Sequence, residues 1–89
     1  MSSPDFFGVI KYPLMTEKAV NQLERYGKLT FIVRGEANKK VIKEAVERYF
    51  EVKVRKENIL ISPKGEKKAI ITFESVEDAR RIAMSLGLL

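Results

Sequence analysis

Two adjacent lysines, Lys39 and Lys40, stand at the start of a predicted helix, where their charge calls for a chemical explanation. Cations in a first helical turn oppose the helix macrodipole, at a cost of roughly 0.3–1 kcal/mol each at low salt. An anion such as phosphate at that position reverses the balance, because free backbone N–H groups and both ammonium groups then converge on it. The alternative is that the lysines are exposed and only keep the protein soluble.

Basic side chains also follow the two predicted strands after this helix. Lys53 and Arg55 alternate with valines in the first strand, and Lys68 lies in the second. On one face of a sheet they would contact a nucleic-acid backbone, which contributes affinity but little base selectivity. Alternatively, they protect a sheet edge against aggregation.

Positive charge is in surplus, and most of the surplus lies in the middle of the chain. The 89 residues include 17 Lys and Arg against 12 Asp and Glu, a formal net charge of +5. Residues 34–56 alone hold eight basic and four acidic side chains, and the turn at 64–68 adds three lysines and one glutamate. The sequence therefore predicts one basic side, suited to nucleic acid or to an acidic protein.

Three residue types with distinctive chemistry are missing: cysteine, histidine and tryptophan. Without cysteine and histidine, thiol and imidazole nucleophiles, Cys/His zinc sites and disulfide scaffolds are excluded. We expect a protein that is not an enzyme, with no catalytic residues, metal, cofactor or small-molecule substrate. The apolar runs are too short to span a membrane and the N-terminus lacks the features of a secretory signal. We therefore expect no membrane partner and a reducing intracellular location.

The first half of the chain is predicted to contain a lead-in, one helix and one strand. Residues 1–12 form an apolar lead-in that is compatible with a short edge strand, ended by Pro13. Thr16 is a good N-cap, with an acidic residue after it in the first turn, and Gly27 ends the helix. Residues 28–34 alternate as a strand with one fully apolar face.

The second half is predicted to contain a helix, a hairpin and a final helix. The helix begins at about Asn38. The hairpin joins residues 52–61 to residues 67–73 through a turn that contains Pro and Gly. Ser75 caps the last helix, with Asp78 three residues on as a variant of the capping box.

These elements make an α+β fold with the order (β)αβαββα. One small antiparallel (mixed) sheet of three to four strands is covered by amphipathic helices. A chain of this length builds one modest core, so residues 1–89 are expected to form a single domain. Phe6, Phe7 and Tyr12 are left unassigned. Four aromatic residues fall at core spacing and are assigned to the core rather than to base stacking: Phe31, Tyr49, Phe50 and Phe73.

Three stretches match the pattern of a known family, in the same order along the chain. Residues 12–19 read YPLMTEKA, residues 28–54 read KLTFIVRGEANKKVIKEAVERYFEVKV, and residues 63–73 read PKGEKKAIITF. The PxxTEK opening, the ANKxxIK helix start and the VKV strand resemble the L23 family of large-subunit ribosomal proteins, in its short archaeal form. No single tripeptide is specific, but the ordered set covers nearly the whole chain.

The resemblance implies a structural constituent of the ribosome in the cytoplasm. Such a protein binds large-subunit rRNA at the outer rim of the polypeptide exit tunnel. It offers a docking surface for nascent-chain targeting factors, including the signal recognition particle in archaea, and a neighbouring small helical ribosomal protein packs beside it. The residues expected to bind rRNA are Thr16, Lys18, Lys39, Lys40, Lys43, Lys53, Arg55, Lys67 and Lys68.

Some of these expectations have alternatives or depart from the family pattern. Thr16 is either an rRNA contact or only a helix cap, and Glu17 beside it is expected to contact a docking factor. Residues 57–59 read Glu-Asn-Ile where the family usually has Val-Asn-Thr, and Phe73 stands where leucine is more frequent. The alternative function is a non-ribosomal, basic protein-interaction module that binds an acidic partner.

Overall fold

The structure, a computed structural model that describes residues 6–14 and 16–87, contains four helices and one four-stranded antiparallel sheet. In chain order the elements are α1 (Phe6–Val9), β1 (Ile10–Pro13), α2 (Glu17–Tyr26), β2 (Lys28–Val33), α3 (Lys39–Phe50), β3 (Val54–Ile61), β4 (Lys67–Phe73) and α4 (Val76–Ser85). The strands lie in the order β1-β2-β4-β3. The predicted α+β fold is confirmed.

The lead-in differs from the prediction in one respect. The predicted edge strand is present as β1, but a single helical turn, α1, precedes it. Phe6 and Val9 are buried, so this turn packs two apolar side chains against the core before the chain enters the sheet. Residues 1–5 of the predicted lead-in lie outside the described residues.

The first long helices begin where the sequence predicts, because side chains accept hydrogen bonds from their first turns. Thr16 Oγ1 accepts from the Ala19 N–H at 3.2 Å, and Asn38 Oδ1 accepts from the Val41 N–H at 2.9 Å. Each bond satisfies a backbone donor that a helix start leaves free. Gly27 ends α2 in the left-handed conformation, with φ at 68°, which glycine adopts without a Cβ clash.

The start of α4 departs from the predicted capping box. Ser75 Oγ accepts a hydrogen bond from the Glu77 N–H at 3.1 Å, so the cap itself is confirmed. The Asp78 carboxylate lies instead 3.8 Å from the Arg81 guanidinium, one turn along the helix. Asp is shorter than the Glu or Gln of the usual motif, and it does not reach back to the N-cap amide.

The core lies between one face of the sheet and the helices that cover it. Leu23 from α2, Ile42 from α3 and Ile82 from α4 are almost completely buried against this face. Full burial of a side chain of this kind contributes roughly 1.5–3 kcal/mol. The two central strands supply the sheet side of the core through alternate residues: Leu29, Phe31, Val33, Ala69, Ile71 and Phe73.

The assignment of aromatic residues to the core is correct at three positions and wrong at one. Phe31, Phe50 and Phe73 are buried, as predicted. Tyr49 is 52% exposed. Phe6 of α1 stacks on the Tyr49 ring with the centroids 4.5 Å apart, and Phe7 and Phe50 make edge contacts with it, but part of the side chain still faces solvent. Helical spacing alone does not show how far a neighbouring element extends over the last turn of α3.

The register of the hairpin points the backbone groups of β3 alternately towards β4 and away from it. The Ser62 N–H donates to the Glu66 carbonyl at 2.8 Å, and the pairing continues as Leu60 with Lys68. In an antiparallel pair, hydrogen-bonded positions alternate with positions whose N–H and C=O point away from the partner strand. Leu60 therefore bonds to β4, while the backbone groups of Ile61 point outward from the edge of the sheet.

Proline substitution at these two neighbours should have different outcomes. Leu60→Pro removes a donor to β4 and leaves its acceptor unpaired, so we expect the free energy of unfolding to fall by roughly 2–4 kcal/mol. Ile61→Pro removes only an outward donor from a residue that is 63% exposed, so we expect a change below about 1 kcal/mol. Urea denaturation measures both, and equal destabilisation would contradict the register.

Candidate nucleic-acid interface

A groove between α3 and β3 collects the basic side chains from the middle of the chain. The helix begins at Lys39, directly after its N-cap, and its first turn contains no acidic residue. Both lysines predicted for the first turn are therefore found there. The groove has a volume of about 350 Å³, and we call it the α3–β3 groove. It is lined by Lys39, Lys40, Lys43, Val54, Arg55, Lys56 and Glu57.

A β-bulge at the start of β3 shapes the strand side of the α3–β3 groove. The pairing with β4 shifts between Val54 and Lys56, so adjacent side chains leave the regular alternation. Val54 is buried in the core, and the adjacent residues Arg55 and Lys56 both line the groove. The Val54 N–H also donates to Glu47 Oε2 at 2.9 Å, which ties the start of β3 to α3. Cations from two different elements are thereby held at one site.

Among residues 6–14 and 16–87, no carboxylate lies at ion-pair distance from the five cations of the α3–β3 groove. Two ion pairs of the described residues lie on α4, away from the groove, between Glu77 and Arg80 and between Asp78 and Arg81. Like charges held close together on two elements repel, and a bound anion relieves that repulsion. The groove therefore has the electrostatics of a phosphate-binding surface.

Glu57 lines the same groove, and it is the functional candidate that sequence reasoning missed. Its Oε2 atom is buried and accepts no hydrogen bond from the described residues. Burial raises the pKa of Glu57 to about 7, while Lys39 and Lys43 favour the charged form and Glu47 disfavours it. The signal in the sequence is the acidic residue at a position where the family usually has valine.

A second, smaller cavity lies on the other face of the sheet, beside the start of α2. Thr16 and Lys18 meet Lys68 of β4 here, so three of the predicted rRNA-binding residues share one surface. Thr16 caps α2, as one of its two predicted roles requires. It also lines this cavity, so its position is compatible with the other predicted role, an rRNA contact. The cavity, about 180 Å³, is named the α2–sheet cavity and is lined by Leu14, Thr16, Lys18, Ala19, Gln22, Thr30, Leu60, Lys68 and Ile70.

The predicted single basic face of the hairpin is not formed. Arg55 lines the α3–β3 groove, whereas Lys68 pairs with Leu60 and lines the α2–sheet cavity. The extra residue at the bulge breaks the alternation that would otherwise relate the two ends of β3. The basic residues therefore form two surfaces on different sides of the sheet.

The remaining predicted site residues lie outside these two surfaces. The Lys67 ammonium donates to the carbonyl oxygen of Gly35 at 3.2 Å and also to that of Ala37, so it holds the loop that leads into α3. Lys53 is exposed just before β3, and Glu17 is exposed in the first turn of α2. Lys67 thus has a structural role that its spacing in the sequence does not reveal.

Tyr12 on the edge strand β1 makes a contact across the sheet. Its hydroxyl donates to Glu66 Oε2 at 2.8 Å, in the turn of the hairpin. This hydrogen bond is the main cause of a raised pKa for Tyr12. The bond engages the Glu66 carboxylate, the acidic group nearest in sequence to Lys67 and Lys68.

Residues 6–14 and 16–87 contain no group of three or more His, Cys, Asp and Glu side chains that could hold a metal ion. Among those same residues, no helix combines the length and the hydropathy that crossing a membrane requires.

Comparison with known proteins gives matches over almost the whole chain. The family described as Ribosomal protein L23 matches residues 8–86. The Large ribosomal subunit protein uL23 of Trypanosoma brucei brucei is 45% identical over 84 residues. The matched region covers 94% of this chain and 51% of that protein, so the chain spans about half the length of the curated relative.

Glu57→Gln should change how stability depends on pH. A carboxyl group whose pKa is raised in the folded state stabilises the fold at low pH, and that contribution is lost as pH rises from the ordinary value of 4.5 to about 7. Because the side chain is only partly buried, we expect Glu57→Gln to be more stable than the wild type by about 1 kcal/mol above pH 7, and equal to it near pH 4.5.

Denaturant unfolding at pH 4.5, 6, 7 and 8 tests this expectation. Glu74→Gln is the matched control, because Glu74 is an exposed carboxylate outside the groove. A stability difference for Glu57→Gln that stays constant across the pH range would show that the carboxyl group does not titrate there.

Proposed function

The chain belongs to the ribosomal protein L23 family, and on that premise we propose that it is a structural constituent of the large ribosomal subunit. In this proposal it binds large-subunit rRNA at the outer rim of the polypeptide exit tunnel. It also offers a docking surface for nascent-chain targeting factors. Membership of a ribosomal protein family agrees with the predicted location at the cytoplasmic ribosome and with a structural role rather than catalysis.

The α3–β3 groove is the observation that carries the proposal of rRNA binding. Three lysines of α3 face Arg55 and Lys56 of β3, and the first turn of the helix contributes free backbone N–H groups. RNA presents one phosphate per nucleotide, and neutralisation of phosphates supplies much of the affinity of basic proteins for nucleic acid. The cations that weaken the start of α3 in the free protein then stabilise the complex.

The second basic surface supports a bridging role. Thr16, Lys18 and Lys68 line the α2–sheet cavity, on the other side of the sheet from the α3–β3 groove. A protein with basic residues on one side binds one backbone, whereas cations on two sides allow contact with two rRNA segments. We propose that the domain lies between such segments and fixes their spacing. Lys53 and Lys67 contribute further positive charge at its periphery.

The start of α2 is the proposed contact for targeting factors such as the signal recognition particle. Glu17 is exposed there, beside Thr16 and Lys18, and presents an acidic group on an otherwise basic protein. An exposed carboxylate is disfavoured at an rRNA surface and suits a contact with protein. By analogy with the family, a neighbouring small helical ribosomal protein packs beside the domain.

A salt titration of RNA binding tests the proposal. If each of the five groove cations neutralises about one phosphate, log K should fall with log[salt] with a slope between about −3 and −5. We expect binding to large-subunit rRNA to persist in the presence of excess tRNA, measured by filter binding or fluorescence anisotropy. Affinity that is equal for rRNA and unrelated RNA would contradict specific assembly. Binding to acidic proteins in preference to either RNA would support the alternative interaction module.

Replacing Lys39 and Lys40 together by glutamate should separate stability from binding. Acidic residues suit the first turn of a helix, so we expect the free energy of unfolding to stay equal or rise slightly. The affinity for rRNA should fall about tenfold or more at 0.1 M salt, and the salt slope should decrease in magnitude by about 1.5–2. Circular dichroism and anisotropy measure the two effects.

The control makes the same change in net charge elsewhere. Arg80→Glu together with Arg81→Glu lies on α4, on exposed residues outside both basic surfaces. We expect this variant to change the salt slope by less than about 0.9, the value for one neutralised phosphate. If both double variants weaken binding equally, only the total charge matters and the groove has no special role.

A further inference from the structure

The outer edge of β3 presents backbone groups that no described strand pairs. β3 is the last strand of the sheet, and β4 occupies only one side of it. Along β3, residues whose backbone bonds to β4 alternate with residues whose backbone points away from it. Leu60 bonds to β4, so the N–H and C=O groups of Glu57, Ile59 and Ile61 point outward. The Phe73 N–H bond to the Gly27 carbonyl agrees with this alternation, because it directs the odd-numbered residues of β4 towards β2.

The two halves of this edge differ in their protection against pairing with other chains. Natural proteins protect an edge strand with bulges, prolines or charged side chains. The first half of β3 has the bulge at Arg55, followed by the charged residues Lys56 and Glu57. The second half, residues 58–61, reads Asn-Ile-Leu-Ile and has none of these devices. Leu60 is 48% exposed and Ile61 is 63% exposed, so the unprotected half is also apolar.

The charge pattern decides which kind of partner suits this half of the edge. Residues 58–61 carry no cation, whereas Lys56 and Lys64 flank them. An uncharged apolar stretch cannot neutralise RNA phosphates. The outward N–H and C=O groups of β3 instead match the backbone of an extended polypeptide. A second copy of the chain is disfavoured, because each copy carries a net charge of +5 and like net charges repel.

We propose that residues 58–61 of β3 dock an extended, apolar segment of another protein of the large subunit, which joins the sheet as a fifth strand. The proposal rests on the proposed function, since it places the partner in the assembled subunit. The segment would hydrogen-bond to the outward backbone groups of Ile59 and Ile61. Its alternate side chains would pack on Leu60 on one face of the sheet or on Ile59 and Ile61 on the other.

Hydrogen exchange of single amides in free protein and in assembled large subunits tests the proposal. In the free protein, the amides of Asn58 and Leu60 should exchange slowly, and those of Ile59 and Ile61 quickly. In the subunit, the amides of Ile59 and Ile61 should slow by about tenfold or more, because a fifth strand accepts their hydrogen bonds. Incorporation of the chain with unchanged exchange at both positions would overturn the proposal. Failure of the chain to enter large subunits would instead contradict the proposed function.

A photo-crosslinking side chain at Asn58, which is exposed on the same half of the edge and lines neither basic surface, identifies what covers the edge. Crosslinks to a single short segment of another ribosomal protein, with a spacing of two residues between major sites, would support the fifth strand. Crosslinks only to rRNA, or to a second copy of this chain, would overturn it.

Ile61→Lys provides a variant that protects the edge with a cation. Ile61 is exposed, so the fold should tolerate the change. We expect this variant to lose the slowing at Ile59 on assembly and to lose the protein crosslinks. The matched control is Met84→Lys, at a residue of α4 that is 66% exposed, and it should keep both. If the two variants show equal exchange at Ile59 and equal protein crosslinks in the subunit, the edge of β3 does not dock the segment.

Discussion

Burial of one face of β2 and β4 is the constraint on which the remaining structure depends. Phe31, Ala69 and Ile71 are completely covered on this face. Because strand side chains alternate, burial of these residues sends their neighbours, including Lys68, to the opposite side. The same face must be covered by the helices, so the starts of α2 and α3 are held beside the sheet. Both basic surfaces are consequences of this packing.

The α3–β3 groove shows how a site can oppose the stability of its own scaffold. The helix that supplies three of its lysines has no acidic residue in its first turn, and the Asn38 cap offsets part of the cost. Glu57 adds a partly buried carboxyl group whose pKa is raised to about 7 by burial. Neither feature helps the free protein fold at neutral pH. The lysines become favourable when a phosphate neutralises them, whereas the Glu57 carboxyl group suits a bound phosphate only in its protonated form.

The molecule presents several surfaces that are incomplete in isolation. Cations lie on both sides of the sheet, and the apolar half of an edge strand is open. An enzyme concentrates its polar groups in one enclosed site, whereas a component of a larger assembly spreads its contacts over its surface. The distribution of these surfaces supports the proposed place of the chain in a larger assembly.

The sequence by itself determined the α+β fold, most element limits and the two lysines at the start of α3, because periodicity and capping are local properties. It also supplied the family. It did not predict the exposure of Tyr49, the bond from Lys67 to the loop before α3, the position of Glu57 in the α3–β3 groove, or the separation of Arg55 from Lys68. Each of these depends on a bulge, a register or a neighbouring element far away in the chain. Only the tertiary structure brings such residues together, since the positions of distant side chains follow from packing and not from local spacing.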